Sequence, residues 1–521
     1  MAQRKEIGTV VATPDGPSIT RFQFVLDDGT REDTNQNARW GQFVCTQTIE
    51  GLAIGVIDDI RASNEYFENA QTVKEYSKQG VPLQNIFPSK NWEMTLGEVK
   101  VLCVHYPGED GKPVFDRCAF PPSPGEKVFM LDQDLLAPFL GLDLATGVLL
   151  GSIRNQDVPA QLNLGRLLQK HLAVLAISGA GKSYFVTVLV EELLRRDPLG
   201  GRPAVVIFDV HGEYVGLANQ SPPENQGYAE NVQVIDGSFV QIATPSLSPP
   251  AFAVYQPNFS PPQVRELGKV LAAVRARKQG EPFNLADVIA EIEMSDSMNP
   301  KTAGALAGWL EDLDRTRLFG AVENPNLGNV VVPGKAVVFD LSRVLGLREK
   351  QMIVNYVANR LFSMRRSGDV PPFLLVVEEA HQFAPDASKS AAISKGTLET
   401  YAREGRKFFA NLCLITQRPV KLSTTVLSQC NTHVIFRVTN PYDLDHIKAS
   451  SEAITSDTLK VISTLPVGEC IVVGGATNYP LFVKVRRRYT VDPIVGQTLE
   501  GACGEWERRH PPVTGDDGTS S

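Results

Sequence analysis

The chain has 521 residues, 43% of them hydrophobic and 21% charged, with a formal net charge of −8. This length exceeds one ordinary core and predicts about two or three domains of soluble globular type. The acidic balance excludes a protein that coats nucleic acid with its whole surface, so any such contact is confined to a local positive pore or groove. No run of about 18 apolar residues occurs, and the start MAQRKEIGTV lacks a signal-peptide core; a cytoplasmic location without membrane contact is expected. Cys45, Cys103, Cys118, Cys413, Cys430, Cys470 and Cys503 show no C-x-x-C spacing and read as reduced thiols, neither staples nor a zinc site.

Residues 1–155 carry short alternating or apolar runs: Ile7–Ala12, Ile19–Leu26, Phe43–Thr48, Ala53–Ile57, Val99–His105 and Val128–Leu131. Turn clusters such as Pro14-Asp15-Gly16 separate them, predicting a small β-barrel or sandwich with a helical or irregular excursion over 64–92. No catalytic cluster lies here, so this part reads as an assembly or partner-docking domain. From 156 to 490 strands alternate with helices, the mark of a mostly parallel α/β sheet. The strand candidates are Leu172–Ile177, Ala204–Phe208, Val232–Ile235, Ala336–Phe339, Phe373–Val377, Leu412–Ile415, His433–Phe436 and Cys470–Val473. A helical insertion over about 260–322 interrupts them with Pro262–Lys278, Leu285–Met294 and Thr302–Arg317. Residues 491–521 read as a C-terminal arm ending in a disordered tail.

The most informative stretch is LAVLAISGAGKSYFVTVLVEELL, Leu172–Leu194. An apolar strand delivers a glycine-rich turn, and a helix follows with Val186, Leu189, Val190, Leu193 and Leu194 on one face. Such a turn, Ser178-Gly179-Ala180-Gly181-Lys182-Ser183-Tyr184, lets backbone N–H groups and the helix dipole hold phosphate. Lys182 would neutralise the β- and γ-phosphates of a nucleoside triphosphate, and the Ser183 hydroxyl would ligate Mg²⁺. Ala176 stands where the usual phosphate-loop pattern has its first glycine.

A second carboxylate site follows the apolar strand Phe373–Val377: Glu378 is the candidate for the Mg²⁺ shell, Glu379 for polarising the attacking water. His381 is a candidate for sensing the γ-phosphate or coupling it to DNA, though a lone histidine more often reads as structural. Asp209 and Glu213, in DVHGEY after another strand, read either as a cap and turn or as part of the site. Gln417 can hold water or report γ-phosphate loss. Arg403, Arg406 and Lys407 read as a source of an arginine finger for a neighbouring subunit, with Arg403 and Arg406 the candidates, or as a solvated helix end.

In order, LAVLAISGAGKS, VVIFDVHGEY, LLVVEEAHQFAP, AREGRKF and ITQRPVKLSTTVLSQCNTHVIFRVTNP make a chain that resembles the HerA family within the HerA/FtsK ATPases. The resemblance spans about 150–490, and weakly the amino-terminal part. It implies a RecA-like P-loop core, a homohexamer hydrolysing ATP between subunits, and double-stranded DNA in the pore. It implies a barrel that docks a NurA-type nuclease in DNA end repair, or a nuclease or sirtuin-like effector in antiphage defence. Lys182 and Ser183 carry over as phosphate and Mg²⁺ ligands, Glu379 as base, Gln417 as sensor, and the finger falls within Arg403–Arg406. Lys389 and Lys395 are candidate pore contacts, and Val210 departs from the proline common after that aspartate. The alternative is an ATP-gated platform that recruits an effector with little translocation. A secretion or conjugation ATPase shares the core but often carries a membrane anchor.

Overall fold

The computed structural model describes residues 4–14, 16–26, 38–64, 67, 74, 78, 93–109, 111–220, 223–295, 298–386, 392–450, 454–490 and 499–510. By compactness the chain forms two units: Met1–Leu167 with Gly468–Arg486, and Leu168–Val467 with Arg487–Ser521.

In the first unit, seven strands run β1 (Glu6–Val11), β2 (Arg21–Leu26), β3 (Phe43–Gln47), β4 (Leu52–Ser63), β5 (Met94–Pro107), β6 (Pro113–Asp116) and β7 (Lys127–Met130). Their order, β2-β1-β7-β3-β4-β5, closes on itself because β2 also pairs with β5; β6 is appended to β5. Inward positions alternate along the strands, so Ile7, Val10, Phe22, Phe24, Val44, Ile57, Val99 and Val128 fill the barrel. The expected barrel is thus present, all six apolar runs supplying its staves. Most of the 64–92 excursion lies outside the described residues.

β8 (Val148–Ile153) and β9 (Pro159–Leu162) follow. The second unit then begins with β10 (His171–Leu175), β11 (Ala204–Asp209) and β12 (Val232–Asp236). The two-residue strands β13 (Ile242–Ala243) and β14 (Phe319–Gly320) come next, then β15 (Ala336–Asp340), β16 (Phe373–Val377), β17 (Ala410–Thr416) and β18 (Cys430–Ile435). β12-β15-β11-β16-β17-β10-β18 is their order across a sheet whose neighbours are parallel. The central strands are buried on both faces, which explains their unbroken apolar runs. Register brings Leu175 beside Thr416, Phe208 beside Val377 and Asp209 beside Asp340. The carboxyl ends of five strands therefore meet along one edge.

The insertion helices are Pro261–Lys278, Leu285–Glu293 and Pro300–Asp314, as expected. Capping boxes start the first two, Ser260 with Gln263 and Asn284 with Asp287.

Two expectations are corrected. The strand expected at Cys470–Val473 is β19 (Glu469–Gly474); it pairs antiparallel with β20 (Leu481–Val485), and both group with the first unit, where β20 pairs with β8. A short buried apolar run carries no local sign of the unit it completes. The helix Lys182–Arg195 is buried nearly all round, Phe185, Val188 and Glu191 included, and not on a single stripe. The C-terminal arm contains the helix Leu499–Arg509, with no buried residue; 511–521 lie outside the described residues.

Candidate active site

β10 ends at Leu175, and the chain turns through Gly179 (φ +75°) and Gly181 (φ +109°) into the helix starting at Lys182. Both angles lie in the left-handed region, which glycine enters without a Cβ penalty. Gly181 caps the helix without a side-chain hydrogen bond, leaving first-turn N–H groups to meet an anion. Ala176 is fully buried beneath the loop, and its N–H donates to Thr416 O at 3.3 Å. Ser178 and Gly179 are exposed, Ala180 is buried, and Tyr184 stands half-exposed in the first helical turn.

The Lys182 side chain is only 9% exposed and points among three carboxylates: Glu379 at 3.6 Å, Glu378 and Glu213 at 3.9 Å each. Ser183 Oγ donates a short hydrogen bond to Glu213. The DVHGEY turn wraps around Asp209, whose oxygens accept from the N–H groups of Gly212 (2.7 Å), Glu213 (3.0 Å) and Tyr214 (2.8 Å). Glu378 Oε2 accepts from Val210 N (2.7 Å) and His211 N (3.2 Å), so one carboxylate is pinned by its own turn and the next braces that turn from β16.

Burial drives the electrostatics. It raises Glu378 well above the ordinary carboxylate range, helped by the negative charge of Asp209 and Glu213 and opposed by Lys182. Asp209 is also raised by burial, against the pull of its three N–H donors. For Glu213, burial pushes up but the Ser183 hydroxyl and the Lys182 ammonium outweigh it, and the net shift is downward. Buried Glu378 Oε1, Glu379 Oε2 and Tyr214 OH have no hydrogen-bond partner among the described residues. Such oxygens are costly unless something meets them.

Glu379 sits at φ +47°, a left-handed backbone in a non-glycine residue. Conformations of this kind cost about 1–3 kcal/mol and cluster at working sites. Its Oε2 lies 3.3 Å from His381 Nδ1, which shares a 3.0 Å hydrogen bond with Thr416 Oγ1. Burial, with Arg418 and Lys421 nearby, lowers His381 to about 4, so the imidazole is neutral at pH 7 and the contact is no ion pair. Thr416 Oγ1 in turn accepts from Arg418 N at 3.0 Å. Gln417, half-buried, is the next residue after this strand end.

The structure therefore brings together Lys182, Ser183, Asp209, Glu213, Glu378 and Glu379, with Gln417 on the same sheet edge. It does not bring Arg403 and Arg406 there. Both are exposed on the helix Lys395–Phe408, near the end that leads into the opposite edge of the sheet at Ala410. Lys389 lies outside the described residues. Sequence reading missed His211, whose Nε2 is 4.0 Å from Glu379 Oε1. HGE in the DVHGEY turn was the local hint.

Among the described residues no group of three His, Cys, Asp or Glu is arranged as a self-sufficient metal site. The oxygens of Ser183, Glu213 and Glu378 suit a hard cation that keeps its waters and leans on phosphate, as Mg²⁺ does.

A family profile described as "Helicase HerA, central domain" matches residues 148–361. The DNA double-strand break repair helicase HerA of Pyrococcus furiosus is 27% identical over 546 aligned positions, covering 94% of this chain and 93% of the relative. HerA of Saccharolobus solfataricus, with the same description, is 25% identical, covering 93% and 95%. Among solved structures, VirB4 of Thermoanaerobacter pseudethanolicus aligns with a TM-score of 0.49 and 16% identity, over 66% of this chain and 98% of that one. With its phosphate loop, its paired glutamates and relatives along almost its whole length, the chain is a P-loop ATPase similar to the HerA helicases, the HerA central domain matching residues 148–361.

Proposed function

We propose that this ATPase is a Mg²⁺-dependent motor that drives double-stranded DNA through a ring of its own copies, a hexamer, each pocket completed by a neighbour. One observation carries the reading. Lys182 is the cation within ion-pair reach of Glu378 and Glu379 among the described residues, and no arginine lies there. The candidate guanidiniums, Arg403 and Arg406, face outward. A pocket short of a guanidinium, in a chain presenting two on its surface, is what shared hydrolysis needs. The similarity to DNA double-strand break repair helicases supports DNA as the track.

In this mechanism Lys182 and the first-turn N–H groups hold the β- and γ-phosphates. Glu379 orients and polarises the attacking water while Glu378 keeps the hydrogen-bonded turn beside it in place. Bound Mg²⁺, held by Ser183 with Glu378 behind it, would neutralise charge on the transferred phosphoryl group. Gln417, one residue from Thr416, is positioned to report loss of the γ-phosphate. Residues 1–155 would dock the effector, a nuclease in end repair or a defence enzyme.

ATP turnover by the assembled protein should rise with duplex DNA and fall as salt screens phosphate contacts. A ring whose turnover ignores DNA, or a full-speed monomer, refutes the reading. Turnover without movement in single-molecule tracking favours the effector-recruiting platform.

A further inference from the structure

Some 300 residues downstream of the phosphate loop, a short segment returns to the nucleotide helix. Tyr184, two residues past Lys182, accepts at its hydroxyl from Arg488 N (2.8 Å). Glu191, wholly buried in the middle of the same helix, accepts from Tyr489 N (3.0 Å), Thr490 N (2.8 Å) and Thr490 Oγ1 (2.7 Å). Arg195, at the last turn, lies over the Tyr489 ring at 4.6 Å, and Tyr228 stacks on the same ring. The segment Arg488–Thr490 thus touches the first, third and last turns of Lys182–Arg195.

A buried carboxylate in a helix is costly to desolvate, and here donors from a distant segment meet it. Packing alone would be served as well by leucine at 191. The feature that a leucine could not supply is a directional grip that fixes the strap in register with the helix. We infer that Glu191 is a positioning residue for the ATPase reaction: through Tyr489 and Thr490 it holds the nucleotide helix in the phosphate-binding position and ties it to the segment Arg488–Thr490. The inference rests on the nucleotide-binding role of that helix.

The consequences follow from linkage. If the strap selects the binding-competent position, weakening it lowers the competent fraction, and the apparent nucleotide constant rises in proportion. Reciprocally, nucleotide must tighten the strap. Charge-assisted hydrogen bonds of this type set a scale of about tenfold.

The test uses the full chain with Thr490→Val, which removes one donor and keeps shape, and Glu191→Gln. In steady-state turnover both should raise KM for ATP about tenfold with kcat within about twofold of wild type. By hydrogen exchange, a non-hydrolysable ATP analogue should slow the Tyr489 and Thr490 amides in wild type and not in Thr490→Val. Unchanged KM, or a fall in kcat alone, overturns the inference while leaving the ATPase intact; should Glu191→Gln fail to fold, Thr490→Val decides. A wild-type chain that binds no nucleotide refutes the underlying function instead.

Discussion

Replacing Lys182 with methionine removes the cation shared by Glu213, Glu378 and Glu379 at 3.6–3.9 Å and keeps most of the side-chain volume. At an effective dielectric of about 20, each pair is worth about 4 kcal/mol before desolvation. Orphaning a buried ion pair costs about 3–5 kcal/mol net. Glu213 is more than a third exposed, so solvent screening discounts its share and Glu378 and Glu379 carry the cost. The loss has a definite pH signature. Without the ammonium, Glu213 loses part of the pull that holds it below the ordinary range and Glu378, already raised by burial, rises further, so relative to wild type the variant gives up stability as pH rises. Glu213, depressed in the wild type, gives its stability above its unfolded pKa and withdraws it as pH falls, in the same direction. Scanning calorimetry of the nucleotide-free protein should show a melting temperature several degrees below wild type at pH 7, with the gap narrowing toward pH 3.5, below the ordinary carboxylate value. An equal gap at both pH values would refute the shared-cation account, and ATP binding should be lost throughout.

Glu379→Gln should keep ATP binding and lower kcat by about a hundredfold or more, read by nucleotide titration beside turnover. Arg403→Ala or Arg406→Ala should silence turnover in pure rings, and mixing the silent one with Glu379→Gln should restore activity, because each supplies what the other lacks across the interface. Absence of rescue in mixed rings argues against a guanidinium in trans. His171, 1% exposed, shares hydrogen bonds between Nε2 and Ala402 O (3.1 Å) and between Nδ1 and Leu412 N (3.0 Å). A Leu412 N–H aimed at Nδ1 requires the neutral ring, and burial lowers it to about 4. Folded-state affinity for the proton is thus depressed, and up to about 3 kcal/mol of stability, complete above pH 6.5, drains away as pH falls toward 4. His171→Gln should flatten that acid limb in melting experiments by about one proton's worth.

The nucleotide edge was legible wherever the determinant is local. An unbroken apolar run such as Phe373–Val377 can hardly be other than a central parallel strand, and the polar residues after it must fall at the ligand-bearing edge. The barrel declared itself through alternation. Asp209 shows where local reading stops: an aspartate after a strand reads as ligand or cap, and only its three backbone donors show that it builds the turn. Glu191 is the stronger case, since a glutamate inside an apolar helix stretch reads as solvated until Tyr489 and Thr490 arrive from far along the chain. The placement of β19 and β20 was equally hidden, because tertiary pairing alone fixes it.

The left-handed backbone at Glu379 sets two selections against each other. A mutant library screened only for heat tolerance should enrich glycine or asparagine at this position, since both relax the φ of +47°. The same library screened for ATP turnover should retain the acid. Divergence of the two winning sets at one residue would measure how much durability the enzyme forgoes to keep its carboxylate aimed.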